Sequence, residues 1–168
     1  MSYYNLIAGG VFGLIAVLGG AILSDQVKSH LDAALLEKAV ATPAVFAANG
    51  DLIREASTQI NIIDRRENEA AWLGYVTGNV YIMLNGLAMI GLGMIQTRGS
   101  GTRIAIAGGA CFTLGILLFG ICTCAAAALS MPTLRIPIPV GAIFLAGGWL
   151  CLIVASIQAK RQPAAACS

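Results

Sequence analysis

Two cysteines one residue apart, Cys122-Thr123-Cys124, and a single histidine, His30, flanked by Asp25, Asp32 and Glu37, are the side chains best suited to metal binding or nucleophilic chemistry. A metal site needs converging ligands, and a nucleophile needs a base within hydrogen-bond reach. Residues two apart on a helix stand about 200° apart around its axis, so the two thiols cannot chelate one ion from a common face. The His30 spacing matches no metal-binding motif, and a solvated loop histidine is the simpler reading. The chain has five cysteines, an odd number. Cys111, Cys122, Cys124 and Cys151 lie inside apolar runs, where cysteine packs as a small hydrophobe, and Cys167 is in the tail. No glycine-rich phosphate loop, nucleophile elbow or zinc-protease motif is present. The sequence therefore predicts no catalytic residue, no metal ligand and no cofactor.

The elements that carry these residues are apolar. Of 168 residues, 58% are hydrophobic and 11% charged, against roughly 25% charged in a soluble domain; the mean hydropathy is +0.82. So few charges cannot cover a water-facing surface, and a bilayer-spanning helix needs about 20 apolar residues. The expected fold is all-α, a single membrane domain over 1–168 built as a four-helix transmembrane bundle. The spans are expected at about 3–24, 71–96, 104–131 and 138–159, with an extramembrane, partly helical polar loop over 25–70. A net charge of +2 gives no basic surface for nucleic acid. No Lys or Arg precedes Lys28, so neither a cleaved secretory signal nor an Arg-rich presequence is expected.

Within the spans, small residues recur at helical spacing. Gly9, Gly13, Ala16, Gly20 and Ser24 form a stripe on the first, and Tyr3 and Tyr4 suit an interfacial belt. Asn79, Gly86 and Gly93 are seven apart on the second, with Met83 and Ile90 between them, and Asn85 is the other amide within it. Gly108, Cys111, Gly115, Cys122 and Ala126 line the third, and Gly141, Gly148, Cys151 and Ala155 the fourth. In lipid such stripes let helix backbones approach, and amides hydrogen-bond between helices. The expected helix-packing and lipid-contact residues are thus Gly9, Gly13, Gly20, Asn79, Asn85, Gly86, Gly108, Gly115, Gly141 and Gly148.

All eight carboxylates fall between the first and second spans. Val27, Leu31, Ala34 and Leu35 predict a short amphipathic helix over 25–40, ended by Pro43. Leu52, Ile53, Ala56, Ile60 and Ile63 predict a second, after Asn49-Gly50-Asp51, with Asp51 as its N-cap. The acidic balance disfavours anionic lipid and favours a protein contact. Four spans put both termini on one side. Arg98, Arg103, Lys160 and Arg161 lie there without acids, which predicts the matrix or cytoplasmic side.

The second half resembles a family of small four-helix membrane proteins, domain-of-unknown-function family 423, whose animal relatives include transmembrane protein 256. The resemblance rests on Leu114-Gly115-Ile116-Leu117-Leu118-Phe119, then Pro139-Val140-Gly141 and Leu145 to Trp149. Tyr81 through Leu87-Ala88 to Gly91 is similar in the second helix, and Leu18-Gly19-Gly20-Ala21 weakly so in the first. Two family histidines are replaced here by Ser24 and Asn85, and the first connection is longer. The resemblance implies a fold and no reaction.

No Asp, Glu, Lys, Arg or His falls inside an expected span. Such residues mark ion pathways and proton relays, so a pump or proton-coupled transporter is not expected. The expected role is a non-catalytic structural or accessory subunit of a larger membrane protein complex. Its partners would be other membrane subunits and phospholipids, in the respiratory chain of a mitochondrial inner membrane (a bacterial inner membrane is the alternative). The alternative role is a free-standing lipid- or small-molecule-binding membrane protein, its cavity lined by Gly9, Gly13, Asn79, Asn85 and Gly115. An enzyme using Cys122 or Cys124 ranks third.

Overall fold

A computed structural model describes residues 3–46, 52–54, 57–97 and 102–161; Asp51, Ala56, Arg98 and Cys167 lie outside the described residues. Four helices are each long and apolar enough to cross a membrane: α1 (Tyr4–Glu37), α2 (Ile62–Thr97), α3 (Arg103–Ala128) and α4 (Ile138–Arg161). They form the expected four-helix bundle.

Helix α1 is one continuous rod. Its spanning part, Tyr4–Leu18, passes through a π-turn at Gly19–Leu23 into a polar extension, Ser24–Glu37. The sequence reading ended the span at Ser24 and placed a separate helix over 25–40. The structure joins them because no Pro or Gly interrupts Ser24–Glu37. Helix α2 likewise starts at Ile62 rather than Ala71, where the Ile63 N–H donates to Asn61 Oδ1 at 3.0 Å, an N-terminal cap. The two polar extensions pack together as a stalk. Leu31 is buried along it, Lys38 Nζ meets Asp64 Oδ1 at 3.1 Å, and Asn68 Nδ2 donates to Asp32 Oδ1 at 3.0 Å.

The tip of the stalk corrects the helix expected after Asp51. Strand β1 (Val40–Thr42) pairs antiparallel with β4 (Ser57–Gln59), and β2 (Val45–Phe46) with β3 (Leu52–Arg54). The apolar spacing of Leu52, Ile53, Ile60 and Ile63 fits a helix, but an isolated helix of about 12 residues is marginal. Val40, Thr42, Val45 and Phe46 supply β-branched and aromatic partners instead. Asn49-Gly50, a strong hairpin signal, stands between β2 and β3 in the sequence.

In the bundle α2 is central, touching α1, α3 and α4. Its Met89 and Leu92 are fully enclosed, with Phe112 and Ile116 of α3 beside them in the core. Helix α3 ends at Ala128, three residues before the expected Met131. Ser130, at φ 52°, takes the left-handed position. The Met131 N–H reaches Ala126 O at 3.2 Å and the Ser130 N–H reaches Ala127 O at 3.4 Å, the pair of bonds that closes a helix C-terminus. A 3-10 turn at Pro132–Arg135 leads to α4.

Candidate functional site

Three antiparallel seams hold the bundle, and the predicted glycines fall mainly on two of them, α1–α2 and α3–α4. Along α1–α2, a Cβ on Gly9 would stand 2.5 Å from Gly86 O, and one on Gly86 3.0 Å from Gly9 O. One heptad further along α2, Gly93 faces Leu6, and one heptad back Asn79 lies over Gly19 and Gly20. Asn79, Gly86 and Gly93 therefore form a single line against α1. Gly13 differs. A Cβ there meets nothing within 4 Å, and it is the Gly13 backbone nitrogen that approaches Gly86.

Along α3–α4, Gly108 faces Cys151, Gly115 faces Leu145, Gly141 faces Phe119 and Gly148 faces Phe112, a regular antiparallel interlock. Along α2–α3, Gly78 meets Gly120 O and Cys124, whose Sγ donates to Tyr75 O at 3.4 Å. Cys124 is thus committed to a packing contact, and Cys111, Cys122, Cys124 and Cys151 are all free thiols. Among the described residues no group of three or more His, Cys, Asp or Glu side chains is placed to hold a metal ion, and His30 is exposed.

The two predicted amides do not converge. Asn85 is buried, donates to Tyr81 O at 2.7 Å and accepts the Trp149 indole N–H at 3.0 Å, tying α2 to α4. Asn79 faces the π-turn of α1 instead. A π-turn leaves backbone carbonyls without their usual helical donors, and the Tyr75 hydroxyl satisfies Gly19 O at 2.7 Å. Sequence reasoning missed a third polar junction. Asn5 Nδ2 donates to Gln96 Oε1 at 3.1 Å and to Ala105 O at 3.0 Å, joining α1, α2 and α3 at the end of the bundle nearer the termini. The signal was present: Asn5 lies inside an otherwise uncharged run, where an amide has no water to turn to.

At the opposite end a half-open groove of about 510 Å³ runs along the stalk, from Lys38 near its tip down to Ala70, Ala71 and the end of α3. Its floor includes Ala70, Ala71, Ala126 and Ala127, and its rim carries Lys38, Asp64, Glu67 and Arg135. A second cavity of about 290 Å³ shares that alanine floor and Arg135, and reaches Gly74, Thr123, Ile138 and Pro139. Nearby, Lys28 Nζ sits 5.8 Å from the Trp72 ring centroid and Trp72 stacks on Tyr75, an arrangement suited to an interfacial aromatic belt. No signal at sequence level pointed to Glu67 or Arg135, because their proximity depends on where α3 ends.

No curated protein and no solved structure matches the chain. A family model does, over residues 61–142, which run from the start of α2 into α4 and contain the α2–α3 seam, both cavities' alanine floor and the Leu114–Phe119 motif. Over that segment the chain is similar to the family described as Protein of unknown function (DUF423), the one its sequence resembles.

Proposed function

We propose that this chain is a non-catalytic accessory subunit that joins a larger membrane assembly through the tip of its stalk. One observation carries the reading. Val40, Phe46, Ile53 and Ile62 are 69%, 62%, 67% and 71% exposed at the tip. The 14 residues of Ser24–Glu37 carry the chain about 21 Å past the apolar segment at 1.5 Å per residue. Exposed side chains on the spans, such as Ile7, Leu84 and Ile143, have lipid to cover them. The tip extends beyond the interfacial zone, roughly 5–8 Å thick on each side, where an apolar patch marks a protein contact.

The assembly to test first is a respiratory-chain complex of the mitochondrial inner membrane, with both termini on the matrix side, as the Arg103 and Lys160 end suggests under the positive-inside bias. The competing reading, a lipid- or small-molecule cavity among Gly9, Gly13, Asn79, Asn85 and Gly115, has less support. Gly9, Asn85 and Gly115 are engaged in helix contacts, and neither cavity above includes any of the five. The test is native electrophoresis of mildly solubilised membranes. The wild-type chain migrates with a respiratory complex, and the double variant Phe46→Ser, Ile53→Ser migrates as a small particle while keeping its helical content. Wild-type migration as a small particle overturns the proposal.

A further inference from the structure

We propose that the inner end of the groove, where the stalk meets the end of α3, binds a phospholipid whose headgroup carries both a phosphate and a primary ammonium, that is, a phosphatidylethanolamine. The groove grades from polar to apolar along the bundle axis. Its outer rim holds Lys38, Asp64, Glu67 and Asn68, while the adjoining cavity reaches Gly74 and Thr123, each one turn deeper than the Ala70–Ala71 and Ala126–Ala127 floor. That polarity matches an amphiphile standing upright in the leaflet, and the combined space is of the size that holds small ligands, about 300–1,000 Å³. The alanine floor provides width for the glycerol and the upper part of an acyl chain.

The rim charges select the headgroup. Lys38 is occupied by Asp64, and Asn68 by Asp32. Among the described residues that leaves Arg135 and Glu67 as rim charges whose side chains make no hydrogen bond or ion pair, one positive and one negative. Arg135 belongs to both cavities, so its guanidinium stands where a phosphate at the polar–apolar junction would lie, and the fork donates two hydrogen bonds to phosphate oxygens. Glu67, on the outer rim only, accepts from the ammonium. A choline headgroup has no N–H to donate there. A phosphatidylglycerol headgroup brings neutral hydroxyls in place of the ammonium, and these donate to Glu67 without the charge assistance that strengthens the ammonium contact.

The experiment is native mass spectrometry of the full-length protein released from mixed micelles holding equal amounts of phosphatidylethanolamine, phosphatidylcholine and phosphatidylglycerol. Phosphatidylethanolamine is retained preferentially by the wild type. Arg135→Gln lowers that retention about tenfold, the effect of one lost charge-assisted contact. Glu67→Gln narrows the preference for phosphatidylethanolamine over phosphatidylcholine, because the amide oxygen still accepts from the ammonium but without the charge that strengthens the contact. Both residues are exposed, and melting in lipid-free detergent checks that each variant folds as the wild type does. Equal retention of the three lipids by wild type, a preference for phosphatidylglycerol, or an unchanged preference in Glu67→Gln overturns the assignment. None of these outcomes bears on the tip, whose test reads assembly rather than lipid.

Discussion

Gly9→Ala tests whether the α1–α2 seam is held by backbone contact. A Cβ at Gly9 would stand 2.5 Å from Gly86 O and 3.0 Å from Ile90 N, where ordinary contact begins at 3.4 Å. The worst overlap is therefore 3.4 − 2.5, or 0.9 Å, and it falls on main-chain atoms that cannot rotate aside. The helices must separate by about that distance, and a gap of 0.5–1 Å forfeits roughly a quarter to a half of each dispersion contact along the seam. Overpacking of this kind costs about 1–3 kcal/mol, partly offset by the helix preference of Ala over Gly, about 1 kcal/mol. A net loss of up to about 2 kcal/mol is expected from the difference of those two figures. Gly10, its neighbour, has nothing within 4 Å of a built Cβ, so Gly10→Ala leaves stability unchanged or slightly raised. Gly13→Ala behaves like Gly10→Ala, and Gly86→Ala, whose nearest contacts are 3.0 and 3.3 Å, falls between. The assay is reversible unfolding of the full chain in mixed micelles, followed by the fluorescence of Trp72 and Trp149. Gly9→Ala proving as stable as Gly10→Ala, which gains the same helix preference without the clash, refutes the seam.

Three further outcomes use the same assay. The Trp149→Phe and Asn85→Ala variants, combined in a double-mutant cycle, give a coupling of about 0.6 kcal/mol and up to about 1.7; strict additivity removes the α2–α4 hydrogen bond from the account. Asn5→Ala leaves Gln96 Oε1 and Ala105 O without their donor and costs about 1–3 kcal/mol, and a neutral result means that water enters that end of the bundle. Lys38→Ala costs less than about 1 kcal/mol and loses its effect at high salt, because the Lys38 side chain is 57% exposed and such pairs are screened; a salt-independent loss points instead to the packing of the Lys38 stem.

The spans were legible because lipid imposes a simple rule: a run without charge long enough to cross is a helix, since every backbone group must be satisfied internally. Their glycine stripes also carried information about partners. The heptad of Asn79, Gly86 and Gly93 meets one helix along its whole length, and Gly108, Gly115, Gly141 and Gly148 meet one another's helices in register. The polar connection was less legible, because water permits several answers. Leu52, Ile53, Ile60 and Ile63 share a helical spacing, yet Leu52 and Ile53 fall on β3, Ile60 on the connection after β4 and Ile63 in α2, and cross-strand partners at Val40–Phe46 decide for the strands. The boundary at Ser24 reads as an end by hydropathy, yet helical hydrogen bonding continues across a change of solvent without interruption. Gly13 shows the limit of a stripe: spacing alone does not say on which side of a seam a residue falls.

Depth, more than exposure, assigns meaning to this surface. Leu84 at 49% and Leu52 at 49% exposure have the same accessibility, but one stands beside the hydrocarbon and the other on a strand about 20 Å past it, by the rise of the stalk helix. On the proposed reading lipid covers the first and a protein the second, since burying apolar surface stabilises by about 25 cal/mol per Å² wherever water is the alternative. The stalk exists because two helices run on as polar extensions after leaving the membrane, zipped by Lys38–Asp64 and Asp32–Asn68. That same emergence opens the groove beside it, where α3 stops at Ala128 and the stalk helices continue past it. A single mismatch in helix length thus yields both candidate contacts, a lipid headgroup at the boundary and a protein above it.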